Sequence, residues 1–314
     1  MIRATCLVFL CLLVSSPSAE GDDRFELLQD AEGVTVNLDG QLLTRYRIQS
    51  GNKPILWPLI GPHGTELTRR FPMAEALPNE RTDHRHQRSV WFTHGEVNGV
   101  SFWHEAAGAG RIVHREFVQV QGGNAPVIVT RNDWMCPDGQ RLCRDQRTLR
   151  FGADDEHVWI DMDVTVTASD GEVTFGDTKE GSFGVRVAGT MKVDSQMGGR
   201  IINSEGQTDA AAWGQRAAWC DYHGPVGDHG VGLAIMNHPR SFRFPTYWHV
   251  RNYGLFAANP FGVADFTDAP AGAGDHTLQP GESFTLHYRL LIHEGDHQQG
   301  RVAEAFARYA EEEK

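Results

Sequence analysis

The stretch DHRHQRSVWF, residues 83–92, sets Asp83, His84 and His86 just ahead of Val90, Trp91 and Phe92. Two imidazoles one residue apart would share a face of an extended strand, with Asp83 and Arg85 on the other. Such a pair can hold a divalent metal with a third ligand, or supply a proton donor beside a group that orients a substrate. His94, His104 and His114 are the candidates for a third ligand, by chain proximity alone. A closed metal site needs more than two imidazoles, so the divalent ion stays an open alternative and no cofactor is required.

Two further stretches carry reactive groups. DTKEGSFGVRV, residues 177–187, places Asp177, Lys179 and Glu180 ahead of an apolar face of Phe183, Val185 and Val187. A solvated Lys–Glu pair does little, whereas the same glutamate enclosed in a cleft becomes an acid–base group with a displaced pKa. In NHPRSFRFPTYWHVRNYGLFAANPFG, residues 237–262, Tyr247, His249 and Arg251 share one face of an extended segment, and Trp248, Val250 and Asn252 take the other. Aromatic faces interleaved with Arg, His and Asn suit a pyranose, whose apolar CH patches are ringed by hydroxyls.

The elements that must position these groups are strands. VWIDMDVTVTA turns Val158, Ile160, Met162, Val164 and Val166 to one side and Asp161, Asp163 and Thr165 to the other. SFTLHYRLLIH repeats the pattern with Phe284, Leu286, Tyr288, Leu290 and Ile292. Period two with one polar face predicts half-buried antiparallel strands. Weaker signals of the same kind fall at 34–38, 42–48, 100–103, 112–120, 127–134, 148–151, 183–187 and 231–236, between Gly-rich turns. Only RVAEAFARYAEEE near the C-terminus has helical spacing, through Val302, Phe306 and Tyr309. Many strands with one short C-terminal helix predict an all-β fold, a large antiparallel β-sandwich.

Composition bounds the rest. Arg3, the apolar run Ala4–Val14 and the small residues Ser15–Ala19 read as a signal peptide over 1–19, leaving a single domain over 20–314. The run is shorter than the roughly 20 residues a bilayer span needs. Loss of Arg3 moves the formal charge from −12 to −13. An acidic exported chain, periplasmic or extracellular, excludes nucleic acid and anionic membrane surfaces as partners, and no second span follows. Export permits disulfides, and CPDGQRLC, with Pro137, Asp138 and Gly139 between its cysteines, predicts a local Cys136–Cys143 bridge. Cys220 is then a lone thiol.

Taken together, Asp83–His86 with Trp91–Gly95, Asp177–Gly181 and Pro245–Gly262 resemble the ordered motifs of the PmoA-like family of exported bacterial proteins, a domain of unknown function often labelled a methane oxygenase. Gln87 departs from that pattern, where many relatives carry another histidine. A membrane methane-oxidising subunit needs several spanning helices, which this chain lacks. The resemblance instead implies a galactose-mutarotase-like supersandwich that handles sugars, and PGESFTLHYRL is similar to the closing strand of that fold. On this reading the partner is a carbohydrate small molecule or glycan. The catalytic residues are His84, His86, Glu180 and His249, with the glutamate accepting a hydroxyl proton and a histidine donating one to the ring oxygen. Asp83, Lys179, Tyr247, Trp248, Arg251 and Asn259 bind substrate. Epimerisation, elimination and hydrolysis all use such groups. A non-catalytic glycan-binding protein and a metal-dependent enzyme built on His84 and His86 are the alternatives.

Overall fold

A computed structural model describes residues 24–314; the expected signal segment lies outside the described residues. The first strands in chain order are β1 (Phe25–Asp30), β2 (Gly33–Leu38), β3 (Gln41–Ser50), β4 (Lys53–Leu59) and β5 (Val90–His94). Next come β6 (Arg111–Gln121), β7 (Val127–Met135), β8 (Arg141–Ala153), β9 (Val158–Thr167), β10 (Val173–Phe175), β11 (Gly181–Arg186) and β12 (Arg200–Asn203). Then follow β13 (Trp219–Val226), β14 (His229–Asn237), β15 (Tyr247–Val250), β16 (Leu255–Asn259), a single helical turn α1 (Val263–Phe266), β17 (His276–Leu278), β18 (Ser283–Glu294) and helix α2 (Val302–Glu311).

These strands make two eight-stranded antiparallel sheets. The first runs β1-β2-β3-β4-β5-β11-β16-β15 and the second β12-β13-β14-β18-β9-β8-β7-β6, with β10 and β17 paired apart. The expected all-β antiparallel sandwich with a short C-terminal helix is the one observed. Among the described residues no helix is long and apolar enough to cross a membrane.

Alternation dictates how the sheets meet. Val90, Phe92, Phe183, Val185, Trp248, Val250 and Phe256 of the first sheet face Ile160, Met162, Val164, Leu286, Tyr288 and Leu290 of the second in one apolar core. The Phe183 and Tyr288 rings stack across the interface at 5.2 Å. On the outer face of the second sheet Asp161 receives both Nε and Nη2 of Arg289, at 2.6 and 2.9 Å. Helix α2 covers that face, burying Val302, Ala305 and Tyr309 against Trp219, Ala234, Met236 and Leu291.

Two local expectations differ from the structure. Residues 100–103 form no strand, because Phe102 is drawn into the inter-sheet core while its neighbour Trp103 packs on the outer face of the first sheet. Cys136 and Cys143 are buried free thiols and not a disulfide. In the β7–β8 hairpin Cys143 pairs with Trp134, whereas the Cys136 N–H is engaged by the Gln140 carbonyl at 2.8 Å, so the two are diagonal and not opposed. Alkylation of the unfolded protein without reductant is expected to label Cys136, Cys143 and Cys220, all three; a mass spectrum in which only Cys220 reacts would restore the bridge.

Candidate functional site

The long connection between β4 and β5 crosses the outer face of the first sheet, and one buried guanidinium shapes it. Arg69 Nη1 donates to the carbonyls of Arg81 and Asp83 at 3.0 and 2.9 Å and to Asp83 Oδ1 at 3.1 Å. Its Nη2 donates to the carbonyls of His84 and Gln87, at 2.9 and 3.0 Å. Arg186, also buried, donates to Gln87 Oε1 and, at 3.2 Å, to the same Asp83 Oδ1. Burial and the neighbouring Arg186 pull Arg69 down to about 10, which leaves it charged at neutral pH. Asp83 therefore anchors the loop through Oδ1, in place of the substrate contact expected of it.

This clamp closes a turn in which the Gln87 N–H donates to the His84 carbonyl at 2.9 Å. Residues 83–86 are thus a turn and not the expected strand, and His84 takes a left-handed φ of 41°. A non-glycine residue there stores on the order of 1 kcal/mol or more, persisting because the surroundings hold it. The His84 ring stacks on Tyr253 at 5.4 Å, and Tyr253 lies under the Arg186 guanidinium at 4.7 Å. His86 meets His84 at 5.8 Å and His104 at 4.8 Å. Burial, followed by the nearby His104 and Lys53, pushes the His86 imidazole down to about 3, so it is neutral.

Below these rings lies a small apolar floor of Ile55, Trp91, Trp103, Leu255 and Ala257, joined by Trp57 and Tyr253. Trp91 points outward from β5, opposite to Phe92, and lies across Gly184 of β11. A Cβ at Gly184 would come within 2.5 Å of the indole, so only glycine admits it. The indole N–H groups of Trp57, Trp91 and Trp103 find no acceptor among the described residues. At the rim Arg88 grips Glu105 through two bonds of 2.6 and 2.7 Å, and the buried Lys53 lies 3.5 Å from the same carboxylate.

Glu180 comes to this face from the turn before β11. Burial raises its pKa against the pull of Lys179, His104 and His84. Its carboxyl oxygens form no hydrogen bond among the described residues. His249, on the outward side of β15, is buried with Nδ1 at 2.8 Å from the Lys179 carbonyl. An imidazole nitrogen facing a carbonyl must carry the proton, so Nδ1–H donates and Nε2 keeps its lone pair. Burial pushes His249 down to about 3. His84, Glu180 and His249 thus gather on one face. Their proton affinities run opposite to the expected roles, however: His86 and His249 are neutral, and the glutamate holds its proton more tightly than usual.

Several expected binding residues do other work. Trp248 is fully buried on the inward side of β15, its indole donating to the Ala217 carbonyl at 3.0 Å. Asn259 is fully buried as a staple, donating to the Thr178 carbonyl at 2.8 Å and accepting from the Phe261 N–H at 2.9 Å. Neither can reach a ligand. Lys179 lies 3.4 Å from Asp265 at the surface. Tyr247 packs against Phe266 at 5.4 Å with Arg216 over its ring. Arg251 stands over Trp213 at 5.5 Å and, with Tyr253, Arg81 and Asp194, lines a groove of about 370 Å³ beside the imidazoles. Tyr253, Trp91, Trp103 and Arg186 also meet on this face, although the sequence reading assigns none of them a binding role. The alternation that puts Phe92 inside also puts Trp91 outside, and this was the available signal.

The three-histidine metal reading also changes. His94 is buried on the core side, with Nε2 at 2.8 Å from the Gly176 carbonyl. His114 is on β6, against Phe117 at 4.4 Å. Only His104 stays near the pair. Among the described residues the group of His, Cys, Asp or Glu donors gathered closely enough for an ion is Asp221, His223 and His297, elsewhere in the molecule.

Residues 33–307 match the model of a family described as "Family of unknown function (DUF6807)", and the chain belongs to that family. This corrects the PmoA-like resemblance, which rested on short motifs, whereas the matched model spans most of the chain. No curated protein matches by sequence. Among solved structures, the chain is similar to the galactosidase domain of the α-galactosidase–sucrose kinase AgaSK, at 9% identity and TM-score 0.41, over 87% of this chain and 41% of that one. The GH36 α-galactosidase AgaB from Geobacillus stearothermophilus aligns at 12% identity and TM-score 0.38, over 89% and 41%. A galactose mutarotase-like protein from Lactobacillus casei ATCC 334 aligns at 9% and 0.34, over 86% and 100%. The chain spans about two fifths of the first two structures. These are likenesses of strand architecture and say nothing of chemistry.

Two outcomes follow from the geometry. Arg69→Lys should lower unfolding free energy by about 2–4 kcal/mol, because a buried partner of five acceptors is lost. Urea unfolding checks this, and a change below about 0.5 kcal/mol would show the clamp to be dispensable. Second, His94 and His249 titrate at about 4 and about 3 when folded, below their ordinary 6.5. The unfolded chain therefore takes up protons that the folded chain refuses. The stability present above pH 6.5 falls as pH drops toward 4, each group contributing at most about 1.4 kcal/mol per pH unit. The urea midpoint should decline from pH 7 to 5, and His249→Gln should flatten that decline.

Proposed function

We propose that this member of the family binds a carbohydrate on the outer face of its first sheet and performs acid–base chemistry on it. The observation that carries the reading is Glu180. A partly buried carboxyl with raised pKa and no hydrogen-bond partner among the described residues lies within electrostatic reach of His104, His84 and Tyr253, and directly follows Lys179, whose carbonyl meets the neutral His249. A carboxyl whose pKa burial raises is better matched than an ordinary one to give and take a proton at a ring or leaving-group oxygen. A neutral imidazole whose Nε2 keeps its lone pair is suited to accept a hydrogen bond from a substrate hydroxyl and hold it in place. The glutamate is thus the group that gives and takes the proton in turn at or near an anomeric carbon, while the imidazole, expected from sequence as the donor, orients a hydroxyl. Tyr253 and the half-buried Trp57 offer aromatic faces for sugar CH groups, and Arg251 offers guanidinium donors. Epimerisation fits most economically; elimination and hydrolysis use the same two transfers. We place this activity outside the cytoplasm, in a single unit over 20–314, on the strength of the apolar segment in residues 1–19.

A panel of neutral and acidic mono- and oligosaccharides, read by tryptophan fluorescence and product analysis, tests the reading. One sugar class is expected to shift the emission saturably. Tyr253→Ala should weaken that binding about tenfold or more. Glu180→Gln should preserve binding and lower kcat about 100-fold or more. Saturable binding without product in the wild-type protein would leave a glycan-binding protein in place of an enzyme. No response to any saccharide at millimolar concentration would sink both.

A further inference from the structure

We propose a second site, for a divalent transition metal of the zinc class, formed by Asp221, His223 and His297 on the outer face of the second sheet. Alternation along β13 turns Tyr222 into the inter-sheet core and puts Asp221 and His223 together on the opposite side. His297 reaches them from the loop between β18 and α2. One donor atom from each of the three lies within 4.8 Å of the others. A tetrahedral ion with bonds of ~2.1 Å spaces its ligand atoms ~3.4 Å apart, so modest side-chain movement closes the set.

The surroundings fit a ligand set better than a plain hydrogen-bond cluster. His297 Nδ1 is buried and has no hydrogen-bond partner among the described residues, although a carboxylate and an imidazole are adjacent. A buried polar atom left unpaired in this way marks the place of an ion or water. The His223 and His297 rings lie 5.9 Å apart and 28° from parallel. The other members are already oriented. His223 Nδ1 is 2.5 Å from Asp221 Oδ1, and His293 Nε2 is 2.8 Å from Asp221 Oδ2. His293 reaches that carboxylate from β18, across β14, because the intervening residue is Gly232. A Cβ there would fall 2.1 Å from the His293 ring. A carboxylate held by an outer imidazole is the kind of support that metal ligands carry.

The chemistry selects the ion. One carboxylate oxygen and two imidazole nitrogens, with no thiolate, favour zinc, cobalt or nickel over calcium and magnesium, which prefer all-oxygen shells. Three protein ligands leave a fourth position for water. The ion would tie β13 to the segment that leads into α2. Asp296 fixes that segment by accepting from the N–H groups of Gln298 and Gln299 at 2.9 Å each, and the Val302 N–H donates to the His297 carbonyl at 3.0 Å. The proposed role is structural and independent of the sugar reading, since the two sites occupy opposite outer faces of the sandwich.

The test uses the full chain, stripped with EDTA and titrated with zinc sulfate by calorimetry, with Tm followed in parallel. One equivalent should bind, Tm should rise, and amide exchange over residues 295–303 should slow. His297→Ala and His223→Ala should each bind zinc about 100-fold more weakly and lose the Tm rise. His297→Ala should still match the wild-type Tm without metal, because the residue lies in a loop and its ring makes no hydrogen bond among the described residues. Absence of a stoichiometric event at 100-fold excess zinc, an equal response in His297→Ala, or an equal response to calcium would overturn the proposal.

Discussion

Two buried guanidiniums sharing one carboxylate hold the first outer face in shape. Taking Arg69 and Arg186 out of water, against a half-buried Asp83, carries a large desolvation cost, which only near-complete hydrogen bonding offsets. Arg69 meets that demand by collecting four backbone carbonyls from residues 81–87, and the loop must fold around it. The left-handed backbone at His84 follows from that wrapping. So does the placing of His84 against Tyr253, whose ring also receives Arg186. The imidazole therefore owes its position to two guanidiniums buried beneath the loop.

The sandwich was legible because alternation is a direct consequence of strand geometry, and the β9 and β18 stretches display it without interruption. The inward residues named from those stretches are core residues in the structure. The site was legible only in outline. Which three segments meet was readable from the density of chemical groups. Which side chains within them face outward was readable only where a strand was regular, as for Tyr247 and His249. Residues 83–86 escaped, since their conformation is imposed by Arg69, fourteen or more residues earlier. Trp248 and Asn259 misled because an aromatic or an amide in a dense polar stretch gives no sign of whether it staples the interior or greets a ligand. The cysteine pair failed for a related reason, hairpin register being finer than loop length.

Protonation states were further from reach. Sequence supplies ordinary pKa values, under which a histidine is the donor and a glutamate the acceptor. Burial acts on the charged form of each and moves them in opposite directions, lowering His86 and His249 while raising Glu180. These directions come from depth in the fold and not from residue identity.

Alternation also bears on how such a surface can change over evolutionary time. Along β15, Trp248 and Val250 serve the interior while Tyr247 and His249 serve the exterior, within one run of four residues. Drift at the exterior positions spares the contacts between the two layers, so the outer surface can change without renegotiating foldability. Lineages sharing this scaffold are then free to diverge on that surface while remaining alike in the positions that hold the two layers together.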